Sequence, residues 1–560
     1  MRVFRSPFPA LSMPRRPLAA ALLMVLCTTS HAQGAPLPMS EDAARAADRV
    51  QGNLERSVRA GQVSEFGLRN STVIEPGNQL PDLGDPSTAS LSPDMERRLG
   101  DRIMRQIRRD PAYMSDPLLT DYLNEIGYRL IEAARKQHVA GSGGGGSFAS
   151  GFEIFGVRDR SINAFALPGG YIGVHSGLLT AADTESELAA VLGHEIGHVT
   201  QRHIARGIGK SEQSMWIALG SLLLAGLAAS ASPDAAQALA LGGQAAAVQN
   251  QLSFSRDAER EADRVGFQIM LAAGFDPQGT ADFFRRMQRA TSISESSVPS
   301  YVRTHPVTTE RIADMENRIR GLNYRRQPTP SEFMFAKARA RVLQETAPNG
   351  QASVRDSMRT ALQGARPEQV AGLWYGIAVA EQQLGRYDAA EAALQEARRA
   401  YGNLPAQTSG SLSLDLLAIE LMRARGRMDE ALTQSAAVVK VYPLSRAAAV
   451  TYGETLLGAQ RLDRAVTFLR GKTRDDRSQA IWWNLLARAY AAQGKRVQQH
   501  QALAERYALE GSLNEAVQQL RIARQAGDGD FYLLSEVDAR LTQLERQFRE
   551  EQRDNKALPN

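Results

Sequence analysis

The sequence predicts a mainly α protein: a helical domain that holds a small β-sheet and an HExxH-bearing helix, followed by an α-solenoid of tetratricopeptide repeats. Three observations carry this expectation. Apolar residues recur at helical spacing from Pro93 onward. Two segments, FEIFGVRD and INAFALPGGYIGVHSGLL, read as strands joined by turns, with Pro168, Gly169 and Gly170 bending the chain. In the C-terminal third, turn residues Gly426, Gln460 and Gly494 stand 34 residues apart, the period of a tetratricopeptide unit.

Residues 1–32 read as a secretory signal peptide. Four arginines and no acid lie between Met1 and Arg16, PLAAALLMVLC forms a short apolar core, and Ser30-His31-Ala32 offers a small-x-small cleavage site. The apolar run is shorter than the ~20 residues of a spanning helix. Cleavage near Ala32 would lower the formal charge from +5 to +1, so the basic balance belongs largely to the export signal and no nucleic-acid partner is expected. Cys27, the only cysteine, leaves with it. A mature chain without cysteine suits an oxidising periplasm and excludes disulfides and thiolate catalysis.

Residues 33–92, rich in Ser, Gly, Pro and charge, read as an irregular extension. The domain expected over 93–325 opens with helices at 94–109 and 116–138, and GSGGGG (141–146) breaks the chain before the strands. The helix that follows begins at TESE, where Thr184 and Glu187 form a capping box.

That helix carries HEIGH, residues 194–198. His194 and His198, at i and i+4, share one face and can both point at a single ion. Glu195 sits about 100° around the helix, placed to reach a metal-bound water as general base without ligating the metal. Gly193 and Gly197 leave a groove for another helix. A third ligand is needed. On a continuous helix His203 would point roughly 180° away from His194, and the metzincin spacing fails because positions 201 and 204 are Gln201 and Ile204. The remaining source is SRDAEREADRVG (255–266), where Glu259 and Asp263 share a face, Glu261 points away, and Gly266 allows close packing.

HEIGHVTQRH, SRDAEREAD and THPVTTERI, in this order, resemble the gluzincin-type zinc metallopeptidase family of the HtpX membrane proteases and CAAX prenyl endopeptidases. With an exported N-terminus and a helical-repeat tail, the chain is especially similar to the periplasmic branch concerned with β-barrel assembly. The resemblance covers about residues 95–320. It implies one Zn2+ per chain on His194, His198 and Glu259, with Glu195 as catalytic base. Asp263 matches the family's second acid, a proton donor or an orienter of a ligating histidine. His305 and Arg311 match residues beside the zinc. By resemblance His305 is either an oxyanion stabiliser or a fourth ligand that holds the enzyme latent, and Arg311 either binds a substrate carbonyl or makes a structural ion pair. The strand region before the zinc helix resembles the edge along which an extended peptide lies by β-augmentation.

Between the ligand helices, residues 215–248 hold two apolar runs, each too short to span a membrane, that read as a hairpin over the cleft or against a membrane surface. The repeats are expected over 330–550, beginning with Trp374, Ala378, Gly385, Tyr387, Ala390 and Ala397; after Gly494 the phase slips by half a unit to Gly511. Such a stack is a binding surface without chemistry of its own. The combined expectation is an exported zinc endopeptidase, periplasmic and peripheral at the outer membrane. By resemblance its substrates are misfolded or stalled outer-membrane proteins, its partner at the repeats is the β-barrel assembly machinery, and a chaperone role accompanies proteolysis. The rival expectation is a non-catalytic assembly chaperone or scaffold with structural zinc, against which the intact Glu195 argues.

Overall fold

A computed structural model describes residues 92–137, 151–207, 255–293, 299–324, 328–404 and 410–556. The expected signal peptide, nearly all of the expected N-terminal extension, GSGGGG and the hairpin expected over 215–248 lie outside these residues.

Helices α1 (Pro93–Ile107) and α2 (Pro117–Lys136) begin as the sequence indicates, with Ser92 and Asp116 accepting hydrogen bonds from Met95 N and Leu119 N. Proline at the first turn of each has no amide to leave unpaired. Four strands follow the order β1-β2-β4-β3: β1 (Tyr113–Met114), β2 (Glu153–Val157), β3 (Ala164–Leu167) and β4 (Tyr171–His175). Strands β3 and β4 form an antiparallel hairpin, and β4 runs parallel to β2. Gly169 and Gly170 turn the hairpin at φ 78° and 88°, a conformation that favours glycine. The expected peptide edge is therefore only half of its segment. β4 is interior and fully buried, so the sheet edge nearest the HEIGH helix is β3 alone, and SGLL is not strand but the start of α3 (Ser176–Ala181).

Helix α4 (Glu185–Thr200) carries HEIGH through the centre of the domain core, with almost every side chain buried. Thr184 Oγ1 caps Glu187 N at 3.2 Å, but the reciprocal half of the box is displaced: Glu187 accepts from Asp183 N and is held by Arg286. A short α5 (His203–Gly207) follows, then α6 (Arg256–Ala272), α7 (Gln278–Ile293), α8 (Ser300–Thr304) and α9 (Thr309–Arg320). Helix α6 lies against α4 at backbone distance. A Cβ on Gly193 would stand 3.0 Å from Gly266 O, and one on Gly197 2.9 Å from Ala262 O, so the glycine groove and Gly266 set the spacing of the two helices.

Helix α10 (Ser331–Leu343) belongs to two cores. Phe333, Ala336 and Ala340 pack into the core around α4, whereas Phe335, Ala338 and Val342 pack with α11 (Pro348–Ala361), α12 (Pro367–Gln383) and α13 (Tyr387–Gly402). From there helical hairpins continue as α14 (Leu412–Ala424), α15 (Met428–Val441), α16 (Arg446–Gly458), α17 (Leu462–Asp475), α18 (Ala480–Ala492), α19 (Arg496–Leu509), α20 (Leu513–Gln525) and the long α21 (Phe531–Lys556). Each repeat turn singled out in the sequence is left-handed, the in-phase Gly426, Gln460 and Gly494 as well as Gly385 and the out-of-phase Gly511, with φ between 54° and 77°. The following amide returns to a carbonyl five residues back, as in Arg427 N to Met422 O and Lys495 N to Tyr490 O, which closes each helix end. Helix α19 serves both neighbours, with Ala502 in one cluster and Val497 and Ala504 in the next. The repeats also return to α2, where Asp121 Oδ2 accepts from Ser445 Oγ and Ala447 N at 2.9 and 2.8 Å. Among the described residues no helix is long and apolar enough to cross a membrane.

Candidate metal centre

The sequence-predicted residues converge from three elements. Helix α4 supplies His194, Glu195 and His198, α6 supplies Glu259 and Asp263, and the segment from the end of α8 into α9 supplies His305 and Arg311. All seven are buried. His194, His198, Glu259 and His305 each offer one ligand atom, and these atoms lie within 4.8 Å of one another. Ligands about 2.0 Å from a common zinc-sized ion in a tetrahedron stand roughly 3.3 Å apart. The observed separations are close to that: 3.0 Å between the Nε2 atoms of His194 and His198, 3.3 Å from His194 Nε2 to His305 Nδ1, and 3.4 and 3.5 Å from the Glu259 oxygens to His198 and His194. The donor set of imidazoles and a carboxylate fits a single divalent cation.

The remaining groups hold these four in place. Asp263 Oδ1 accepts from His194 Nδ1 at 2.9 Å, which leaves Nε2 as the ligand atom. Arg311 grips Asp263 through Nε and Nη2 at 2.6 and 2.7 Å, reaches Glu259 Oε2 at 2.9 Å through Nη1, and donates to Pro306 O. Burial opposes ionisation of Glu259, but His305 first and then the other histidines hold its carboxyl well below the usual range. Burial likewise works against charge on Asp263, and His194 and Arg311 overcome it. Glu195 is held less firmly. Neither of its oxygens accepts a side-chain hydrogen bond among the described residues, His305 Nε2 stands 3.5 Å away, and burial pushes its pKa up against the opposing pull of His305, His194 and the Ala166 backbone amide.

Peptidase family M48 matches residues 125–319. The beta-barrel assembly-enhancing protease of Escherichia coli (strain K12) is 33% identical over 477 residues, spanning 84% of this chain and 92% of its own length. The chain belongs to peptidase family M48. The beta-barrel assembly-enhancing protease of Yersinia pestis is 34% identical over 86% of this chain and 94% of its own length. The mitochondrial metalloendopeptidase OMA1 of Arabidopsis thaliana is 33% identical over 28% of this chain and 29% of its own length. This M48 peptidase is accordingly a metalloendopeptidase, with the four-residue cluster as its metal-binding candidate.

Two residues take places that the sequence did not indicate. The continuous-helix reading of His203 is wrong because α4 stops at Thr200 and Arg202 turns left-handed at φ 51°. His203 is thereby folded back onto His198, 2.7 Å between their Nδ1 atoms, on the ring side away from the cluster. Glu261 then bonds His203 Nε2 at 2.9 Å and Arg206 at 2.6 Å. The only signal in the sequence was chemical: a third histidine close to HEIGH and an acid between Glu259 and Asp263.

Proposed function

We propose that this M48 peptidase is an exported zinc endopeptidase of outer-membrane β-barrel assembly and quality control, working in the periplasm and peripheral at the outer membrane. Its relatives' printed name, beta-barrel assembly-enhancing protease, supports the process. In this reading His194, His198 and Glu259 hold one zinc ion. When bound there, zinc would supply polarisation of a peptide carbonyl and a water pKa lowered toward ~7. Glu195 takes the proton from the attacking water and delivers it to the leaving amine nitrogen as the C–N bond breaks. The observation that carries the assignment is the Glu195 carboxylate, which is buried beside the ligand cluster yet accepts no side-chain hydrogen bond among the described residues. A buried carboxylate with so little to offset its desolvation calls for an explanation, and the role of catalytic base supplies one.

Asp263 orients His194, and the buried Arg311 fastens Asp263 and Glu259, so Arg311 acts as a structural ion pair rather than a substrate ligand. His305 takes the fourth position and holds the enzyme latent; its Nδ1 lies 2.8 Å from Glu259 and 3.3 Å from His194 Nε2, among the ligand atoms. Residues 93–325 form the peptidase domain. The tetratricopeptide repeats of 330–550 share α10 with it and recruit stalled outer-membrane proteins and the assembly machinery. The test is Glu195→Gln. The variant should retain zinc and fold while losing cleavage of casein and of an unfolded β-barrel protein, and unchanged turnover would sink the mechanism.

A further inference from the structure

The recruiting role proposed for the repeats, on which this inference rests, does not specify the chemistry they hold. Helices α17, α18, α19 and the first turns of α21 border a cavity of about 680 Å³ that is open to solvent, with Arg470, Arg474 and Arg477 exposed at it. Its volume lies within the roughly 300–1,000 Å³ range of built ligand sites. Arg470 and Arg474 from α17 and Arg477 just beyond it line the cavity, opposed by one lining carboxylate, Glu536. None of the three guanidiniums makes an ion pair or a side-chain hydrogen bond among the described residues, whereas the neighbouring Arg488, Arg506, Arg521 and Arg540 are all paired with acids. The favourable field at a helix C-terminus accounts for a basic residue such as Arg474. It does not account for three unpaired guanidiniums facing one cavity.

The rest of the lining is apolar or carries amides and the hydroxyls of Thr467 and Thr473. Trp483, Leu486 and Tyr490 come from α18, Gln498 and Gln501 from α19 and Leu533 from α21. Trp483 is anchored by its Nε1 donating to Arg477 O at 3.0 Å. Next to Leu533, Phe531 and Tyr532 are 79% and 80% exposed. Aromatic side chains left this open beside a cavity are suited to contact a partner.

We propose that this cavity binds an extended polypeptide segment with carboxylates at alternate positions and aromatic or large aliphatic residues between them. The spacing follows from geometry. Residues at i and i+4 on a helix, such as Arg470 and Arg474, have Cβ atoms about 5–6 Å apart. Alternate side chains of an extended chain point to one side and repeat about every 6.6 Å. Carboxylates two residues apart therefore meet successive guanidiniums, while the intervening side chains face the other way, toward the aromatic wall. The Gln501 amide, on the same wall, supplies a partner for the peptide backbone. The occupant is a peptide rather than a membrane surface because the arginines line a cavity between helices rather than a flat face.

The experiment uses the full mature chain and a fluorescein-labelled hexapeptide, Asp-Phe-Asp-Leu-Asp-Tyr, read by fluorescence anisotropy. The acidic peptide should bind in a salt-sensitive manner, and its Lys-Phe-Lys-Leu-Lys-Tyr counterpart at least tenfold more weakly. Combining Arg470→Ala, Arg474→Ala and Arg477→Ala should weaken the acidic peptide by about tenfold or more, whereas Glu536→Gln should tighten it. Far-ultraviolet circular dichroism and thermal unfolding that match wild type report that the variants are folded. Equal affinity for the two peptides, wild-type affinity in the triple variant, or no peptide binding with arginine-dependent binding of phosphatidylglycerol vesicles would each overturn the proposal. Those outcomes leave the peptidase reading intact, because that reading stands or falls on Glu195-dependent cleavage alone.

Discussion

His198 and His203 meet through their Nδ1 atoms at 2.7 Å, and this contact fixes the protons of a four-residue chain. For His198 Nε2 to serve as a ligand atom, its proton must sit on Nδ1, so His198 donates to His203. His203 then carries its own proton on Nε2 and donates to Glu261 at 2.9 Å, which also accepts from Arg206 at 2.6 Å. Partners of this kind orient a ligating imidazole and raise its basicity. His203→Ala should therefore lower metal affinity by roughly 10–100-fold, measured by competition with a chromophoric chelator. Retention equal to wild type would show that the contact orients nothing.

The approach of α4 and α6 makes a second expectation. A Cβ on Gly266 would lie 2.7 Å from Gly193 C and from His194 N, both backbone atoms that cannot swing away. Gly266→Ala should push α6 outward, cost about 1–3 kcal/mol and carry Glu259 away from the histidines. Thermal unfolding and metal content should fall together. Gly321→Ala, where a Cβ meets nothing within 4 Å, serves as the silent control.

Among the described residues Arg311 is the one guanidinium shared by Glu259 and Asp263, and it is 6% exposed. Arg311→Met leaves both carboxylates buried without their cation, a loss on the order of 3–5 kcal/mol. Adding Asp263→Asn should recover part of it, because the amide oxygen can still accept from His194 while one uncompensated charge is gone. Chemical denaturation of the single and double variants measures the recovery, and none would place the energy elsewhere.

His305→Ala separates restraint from catalysis. If the imidazole holds the enzyme latent, its removal raises casein cleavage and promotes self-cleavage at unchanged zinc content. If it stabilises the oxyanion, kcat falls by roughly 10²-fold or more. Geometry favours the first outcome, since His305 Nδ1 is already among the ligand atoms. A zinc-loaded His305→Ala protein slower than wild type would reverse it.

What the sequence by itself determined is what depends on local spacing. The i, i+4 relation put His194 with His198 and Glu259 with Asp263 on shared faces. Gly193, Gly197 and Gly266 announced a close helix contact because only a missing Cβ permits one. The 34-residue phase marked the left-handed turns at Gly426, Gln460 and Gly494, since those positions need residues tolerant of positive φ. Tertiary structure decided what depends on a break or on distant chain. The left-handed Arg202 ended α4 and turned His203 from a misdirected side chain into the neighbour of His198. Sheet order, set by pairing between strands far apart in sequence, left β3 as an edge and buried β4. The partners of Arg311, and the cavity shared by α17, α18, α19 and α21, arise from helices whose mutual placement is fixed by side-chain packing, and no periodicity within one helix encodes that.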